Sequence, residues 1–231
     1  MSVTFPRIML PLGVLALTYQ RHTLLEATIK SFLLQGDGPW NMLVLNDDPE
    51  VEYVCNAKNV TVVNHPIRFT SLMRKLEFGF SLMKTDYVFR LDDDDLLAPN
   101  ALVERSKQIE ENPGFDLYRS STTHFWHDRY RGTSHNINGG CVYSKKYLES
   151  FEWPDMSWGE DRVLNDKAKT YEVEAPAMIY RWGGGHYHVS GFGDNSAADI
   201  QKLVDKNLRK REKGRIELAP QWSINYWAAL H

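Results

Sequence analysis

The side chains best suited to chemistry fall in a few short clusters. Four consecutive aspartates occupy positions 92–95, directly after the apolar run Tyr87–Leu91. Like charges this close repel, and a compact chain keeps them only where cations or water offset the charge. Along a strand end, residues 92 and 94 point the same way, so Asp92 and Asp94 can face one pocket while Asp93 and Asp95 do not. A hard divalent cation takes few carboxylates and completes its shell with phosphate oxygens and water. Asp92-x-Asp94 therefore reads as half of a metal–phosphate site, against the plainer alternative of a solvated acidic turn with Asp95 capping the next segment. Glu160–Asp161 by themselves read as a helix start whose acids complement the dipole. His186 and His188 flank Tyr187 after three glycines, and in an extended segment they share a face. They either ligate a metal or lie on a glycine-rich lid against phosphate. His22, His65, His124, His127, His135 and His231 show no ligand spacing.

The elements that must hold these groups alternate in type. Gly13–Leu17 is a short apolar strand, and Leu24, Leu25, Ile29, Phe32 and Leu33 then recur at helical spacing. Thr23 with Glu26 three residues on is a capping-box pattern that places the helix start. Gly36, Gly38 and Pro39 end it. Met42–Leu45 is the next strand and runs into the turn signal Asn46–Asp47–Asp48–Pro49. Val60–Val63 predicts a strand, Leu72–Met83 a helix and Tyr87–Leu91 a strand. Pro99 introduces a helix over Asn100–Asn112, stopped by Pro113 and Gly114. Such alternation implies an α/β fold with a mainly parallel central sheet and helices on both faces. In these sheets ligands bind beyond the carboxyl ends of the strands. Thr18–Tyr19, Asn46–Asp47–Asp48 and Asp92–Asp95 all stand there. The second half is less regular: strands are expected at 116–123 and 141–143, and helices at 161–169 and 197–211.

Composition bounds the reading. The chain has 231 residues, 42% hydrophobic and 25% charged, with a net charge of −3. That mix excludes disorder and coiled coil, and it carries no global cationic excess of the kind nucleic-acid binders show. Cys55 and Cys141 make neither a disulfide framework nor a zinc site, which fits a reducing compartment. The apolar stretch from Ile8 to Leu17 is broken by Pro11 and Gly13, well short of the ~20 residues of a spanning helix. No signal peptide or transmembrane segment is expected. Lys202, Lys206, Arg209, Lys210, Arg211, Lys213 and Arg215 form a local basic run. It is either a docked helix with a solvated face or a surface for an anionic acceptor. Trp222, Tyr226 and Trp227 are expected to pack.

These segments resemble family-two nucleotide-sugar glycosyltransferases of the GT-A, Rossmann-like fold. Asp86–Asp95 is similar to the family's strand and DXD motif. Leu15–Arg21 resembles its first strand and Thr-Tyr-Asn-Arg turn, with Gln20 in place of Asn. Leu43–Asp48 is similar to its second strand, while Gly139–Gly140–Cys141 and Trp158–Gly159–Glu160–Asp161 resemble the acceptor-side turn and Glu-Asp motif. The resemblance spans residues 13 to about 190. It implies a single domain over 1–231: a nucleotide-sugar-binding half at 1–115, an acceptor and catalytic half at 116–195, and a basic helix and tail at 196–231.

Residue by residue, the resemblance implies that Thr18 and Tyr19 line the nucleoside pocket. Asp47 accepts from the base, which favours uracil. Asp92 approaches ribose or metal-bound water, with Asp93 beside it in the donor site. Asp94 ligates Mn2+ or Mg2+, joined by His188 or, alternately, His186. Asp161 is the general base, and Glu160 orients the acceptor. Lys75–Leu76–Glu77 replaces the family's Ala-Arg-Asn turn, so Lys75 or Arg74 stands in for the missing cation. The activity implied is transfer of a sugar, with inversion, from a nucleotide-sugar donor such as a UDP-sugar to an acceptor hydroxyl in the cytoplasm. The acceptor is a glycan, a lipid-linked saccharide or a hydroxymethylated base of phage DNA. The rival classes are a nucleotidyltransferase, which would need a glycine-rich basic phosphate loop after the first strand, and a non-catalytic nucleotide-sugar-binding protein.

Overall fold

The computed structural model describes residues 9–127, 130–135, 140–157, 159–181 and 212–230. The first half runs β1 (Leu12–Thr18), α1 (His22–Leu33), β2 (Trp40–Asn46), β3 (Val51–Val54), β4 (Val60–Asn64), α2 (Leu72–Leu82), β5 (Tyr87–Asp92), β6 (Leu96–Leu97) and α3 (Ala101–Glu111). Then follow β7 (Leu117–Ser120), β8 (Thr122–His127), β9 (Tyr130–His135), β10 (Val142–Ser144), α4 (Lys145–Ser150), α5 (Glu160–Asp166), β11 (Thr170–Val173), β12 (Met178–Arg181) and β13 (Gly214–Glu217).

Every residue of β1 is buried, as expected of a strand covered on both faces. Its alternation divides two cores. Leu12, Val14 and Ala16 pack with Leu25, Ile29 and Phe32 of α1 and with Leu102 and Ile109 of α3. Leu15 and Leu17 pack with Leu76 and Phe80 of α2, Tyr147 and Leu148 of α4, and Leu164 of α5. Helices thus cover both faces of the sheet. At Gly79 the helix α2 comes so close to β1 that an added Cβ would lie 2.9 Å from the Leu15 side chain.

Among the described residues the large sheet has seven strands in the order β11-β7-β10-β5-β1-β2-β4. The pairs β1–β2, β1–β5, β2–β4 and β7–β11 are parallel, and β10 runs antiparallel between β5 and β7. From β1 the chain winds outward through β2 to β4, then returns by α2 to place β5 on the other side of β1. The direction of winding reverses between β1 and β5. A crevice opens beyond the carboxyl ends at such a switch point, and here it receives Thr18–Arg21 from one strand and Asp92–Asp95 from the other.

Two local expectations are corrected. The helix α1 begins at His22 with Arg21 as its N-cap, and the capping box does not form. Glu26 is buried and instead accepts from the Ala219 N–H over 2.9 Å and from Gln221 Nε2 over 3.3 Å. A distant backbone donor outcompetes the local one. Pro99 lies outside α3, whose N-cap is Asn100 in the left-handed region at φ 60°. The carboxyl-terminal stretch is part of the fold. There β13 pairs in parallel with β3, and Trp222, Tyr226 and Trp227 pack on Leu96, Trp126 and Ile179. The expected helix at 197–211 lies outside the described residues. No helix among those described is long and apolar enough to cross a membrane.

Candidate active site

On one side of the crevice stand the ends of β1 and β2. Lys75, projecting from α2, is buried; its Nζ donates to the Thr18 carbonyl over 2.6 Å and to Asp47 Oδ1 over 2.5 Å. Burial pushes the Lys75 ammonium down to about 8, although Asp47 opposes the shift. Asp47 also accepts from Arg68 Nη1 over 2.6 Å and from the Phe69 N–H over 3.1 Å. The Arg68 guanidinium carbon lies 3.5 Å from the centroid of the Tyr19 ring. Thr18, Tyr19, Asp47 and Lys75 therefore meet at one place. The Lys75 ammonium stands against the Asp47 carboxylate.

The four aspartates depart from simple alternation because β5 ends at Asp92. The Asp95 N–H then donates back to the Asp92 carbonyl over 3.0 Å, and this turn brings Asp95 to the side of Asp92 and Asp94. One carboxylate oxygen from each of these three lies within 4.8 Å of the others. Asp93 points to Arg21, whose Nε donates to it over 3.1 Å and whose Nη1 donates to Asp94 over 2.9 Å. Burial pushes Asp93 up to about 6 even though Arg21 opposes it. Asp95 is likewise raised by burial and by Asp94 and Asp92. For Arg21 burial disfavours the charge, but Asp93, Asp94 and Asp92 outweigh it and raise its pKa.

Arg181, at the end of β12, holds this turn from below. Its backbone N–H donates to Asp95 Oδ1 over 3.1 Å, its Nε donates to the Asp94 carbonyl, and its Nη2 donates to the Leu24 carbonyl over 3.0 Å. The Thr28 hydroxyl lies 2.8 Å from the carbonyls of both Asp93 and Asp95, and its one proton is available to either.

On the other side of the crevice, α5 begins at Glu160 after Gly159, which holds φ 69°. Arg90, 7% exposed, reaches out of β5 to both acids. Its Nη1 donates to Asp161, and its Nη2 donates to Glu160 Oε1 over 3.1 Å and lies 3.4 Å from Asp92 Oδ1. Burial pushes Asp161 up to about 6, against the pull of Arg90 and with help from Asp92 and Glu160. A small open recess is lined by Arg90, Asp92, Asp95, Cys141, Tyr143 and Asp161, with Gly140 and Met178. Gly140 has φ 65°, and a Cβ there would approach Ala177 to 3.3 Å.

The structure thus brings Asp92, Asp94, Glu160 and Asp161 to one crevice whose far wall carries Tyr19 and Asp47. His186 and His188 lie outside the described residues. Arg90 and Arg21 went unread as site residues. The signal for Arg90 was present, a lone cation inside the apolar strand Tyr87–Leu91. Arg181 carried no such signal, because its partners are backbone carbonyls supplied by distant segments.

The family model for glycosyl transferase family 2 matches residues 14–166, and the chain belongs to that family of glycosyltransferases. The fold resembles that of S. aureus TarS. TarS 1–349 in complex with UDP-GlcNAc superimposes with a TM-score of 0.63 at 13% identity, covering 86% of this chain and 72% of that one. The complex of the same fragment with UDP gives 0.60 at 14% identity, over 86% and 71%. The longer TarS structure gives 0.58 at 13% identity, over 86% of this chain and 43% of that chain. No curated protein sequence matches the chain.

Proposed function

We propose that this family 2 glycosyltransferase transfers a sugar from a UDP-sugar to an acceptor hydroxyl, with inversion and with Mn2+ or Mg2+ bound at the aspartate turn. One observation carries the reading. A carboxylate and an aromatic ring bridged by Arg68 (Asp47, Tyr19), a cluster of three carboxylate oxygens within 4.8 Å, and a half-buried carboxyl at Asp161 stand about the strand ends of the switch point. The complexes of TarS with UDP and UDP-GlcNAc support the donor class.

The residues take complementary parts. Tyr19 offers a face for the base and Asp47 an acceptor for its ring N–H. Lys75, itself held by the Thr18 carbonyl, fixes Asp47. The oxygens of Asp92, Asp94 and Asp95 are hard ligands in a small cluster, which suits Mn2+ or Mg2+ better than a soft ion. Asp94 is the principal ligand in this reading, with His188 or His186 as its partner. When bound, the ion supplies Lewis-acid neutralisation of charge on the departing diphosphate. Asp161 takes the proton of the acceptor hydroxyl, while Arg90 keeps its carboxylate oriented and Glu160 positions the acceptor. A pKa near 6 makes Asp161 a better base than an ordinary aspartate while leaving it ionised at neutral pH. Attack from the face opposite the leaving group inverts the anomeric centre.

A saccharide, free or lipid-linked, is the acceptor this reading favours over modified DNA. Within the basic run Lys213 is paired to Glu50 over 2.6 Å and so is tied to the protein's own surface. The thiols of Cys55 and Cys141 suit a reducing compartment such as the cytoplasm. Labelled UDP-sugars offered with panels of glycans, lipid-linked saccharides and hydroxymethylated DNA test the proposal. Label should pass to a saccharide hydroxyl. Transfer of a nucleotidyl group instead, or donor binding with no transfer anywhere, would count against it.

A further inference from the structure

Asp47 and Tyr19, assigned above to the nucleobase, are both engaged by one side chain of the protein itself. Arg68, between β4 and α2, places its guanidinium carbon 3.5 Å from the Tyr19 ring centroid and donates to Asp47 Oδ1 over 2.6 Å. A guanidinium is planar, carries N–H donors in its plane and stacks on aromatic faces. A base with a ring N–H presents the same features to a carboxylate and an aromatic ring.

Asp47 is only 1% exposed, so a ligand N–H reaches it only if one of its present donors moves. The Lys75 side chain is 5% exposed and the Phe69 donor is backbone, so neither leaves without opening the core. Phe69 is further fixed by stacking on His65 at 4.4 Å and by Phe78 at 5.4 Å. The Arg68 side chain is 51% exposed. Ion pairs and cation–π contacts of that exposure are weak, and rotation of this one side chain uncovers both the carboxylate and the ring.

We propose that Arg68 is an internal competitor for the base position, a surrogate base that the nucleotide-sugar displaces on binding. The inference rests on Tyr19 and Asp47 being the base site, and it adds an element of specificity. A ligand must offer both a stacking face and an N–H donor able to replace a cation at Asp47. Its apparent affinity is the intrinsic affinity reduced by the fraction of molecules in which Arg68 has swung away.

Calorimetry and stopped-flow with UDP and Mn2+ on the full chain, as wild type, Arg68→Ala and Arg68→Lys, test the proposal. Arg68→Ala should lower the Kd for UDP about three- to tenfold, the scale of one ion pair and one cation–π contact made by a half-exposed guanidinium. The gain should lie in the association rate, with dissociation unchanged, and the lysine variant should fall between. Loss of a cation beside a diphosphate would otherwise weaken binding, so the expected sign is opposite to that of a simple electrostatic role. Inorganic pyrophosphate with Mn2+, which has no base, should show no gain. Equal or weaker UDP binding by Arg68→Ala overturns the proposal, as does an equal gain for pyrophosphate. Tyr19→Leu separates the two layers. If it weakens UDP binding while Arg68→Ala does not tighten it, the competitor role fails and the base site stands. If Tyr19→Leu leaves UDP binding unchanged, the base site fails and the competitor role with it.

Discussion

Charge in the crevice is arranged as carboxylates held by two arginines, one buried and one half-buried. Arg90 carries Glu160 and Asp161, and Arg21 carries Asp93 and Asp94. Asp161→Asn keeps the shape of the recess but cannot take a proton. It should bind UDP-sugar normally and lose transfer by ~10²- to 10⁴-fold, the usual contribution of a general base; near-normal turnover would remove Asp161 from that role. The pH dependence has a definite sign. In its proposed role Asp161 works only when ionised, and its pKa is pushed up to about 6, so kcat/KM should be level above that value. Below it the rate should fall tenfold per pH unit, with the break absent in Asp161→Asn. At this scale the acidic positions were legible in the sequence because runs of like charge after an apolar strand are costly. Their cations were less so. Arg21 follows an expected strand by several residues, and only the turn at Gln20, with φ 58°, aims it back at the aspartates.

Elements are where hydrophobic spacing was most informative. The strands β1, β2, β4 and β5 and the helices α1 to α3 were the legible elements, since each turns apolar side chains to the core, β4 through the half-buried Val60, Val62 and Val63. The strands β3, β6, β11, β12 and β13 are two to four residues long and are defined by their partners, which a local pattern does not contain. The same competition undid the capping box, where Glu26 serves the carboxyl-terminal segment. The helix α2 sets the position of Lys75, and its close approach to β1 depends on Gly79. Gly79→Val should force the helix away from Leu15 and cost about 1–3 kcal/mol, the range for overpacking a core. Thermal melting would register that loss. UDP affinity should fall with it as Lys75 withdraws from Asp47, whereas unchanged affinity would show that α2 does not support the base site.

Across the whole molecule, the carboxyl-terminal segment and the switch-point crevice are mechanically joined. Gln20 and Glu212 exchange hydrogen bonds of 3.2 and 2.8 Å, and Trp227 Nε1 donates to the Leu97 carbonyl over 3.1 Å. Tyr226 packs on Trp126 with centroids 4.9 Å apart and lies 5.4 Å from the Arg181 guanidinium carbon. Tyr226→Ala should therefore cost about 3 kcal/mol and also loosen the aspartate turn that Arg181 holds, seen as weaker binding of UDP with Mn2+. A loss of stability with donor affinity intact would confine Tyr226 to packing. The central claim concerns that turn, and calorimetric titration of UDP-sugar with and without Mn2+, in wild type and Asp94→Ala, tests it most directly. Tight binding should require the ion in the wild type and collapse in the variant. Binding of equal strength without metal, or in Asp94→Ala, would contradict a metal-assisted donor site at the end of β5.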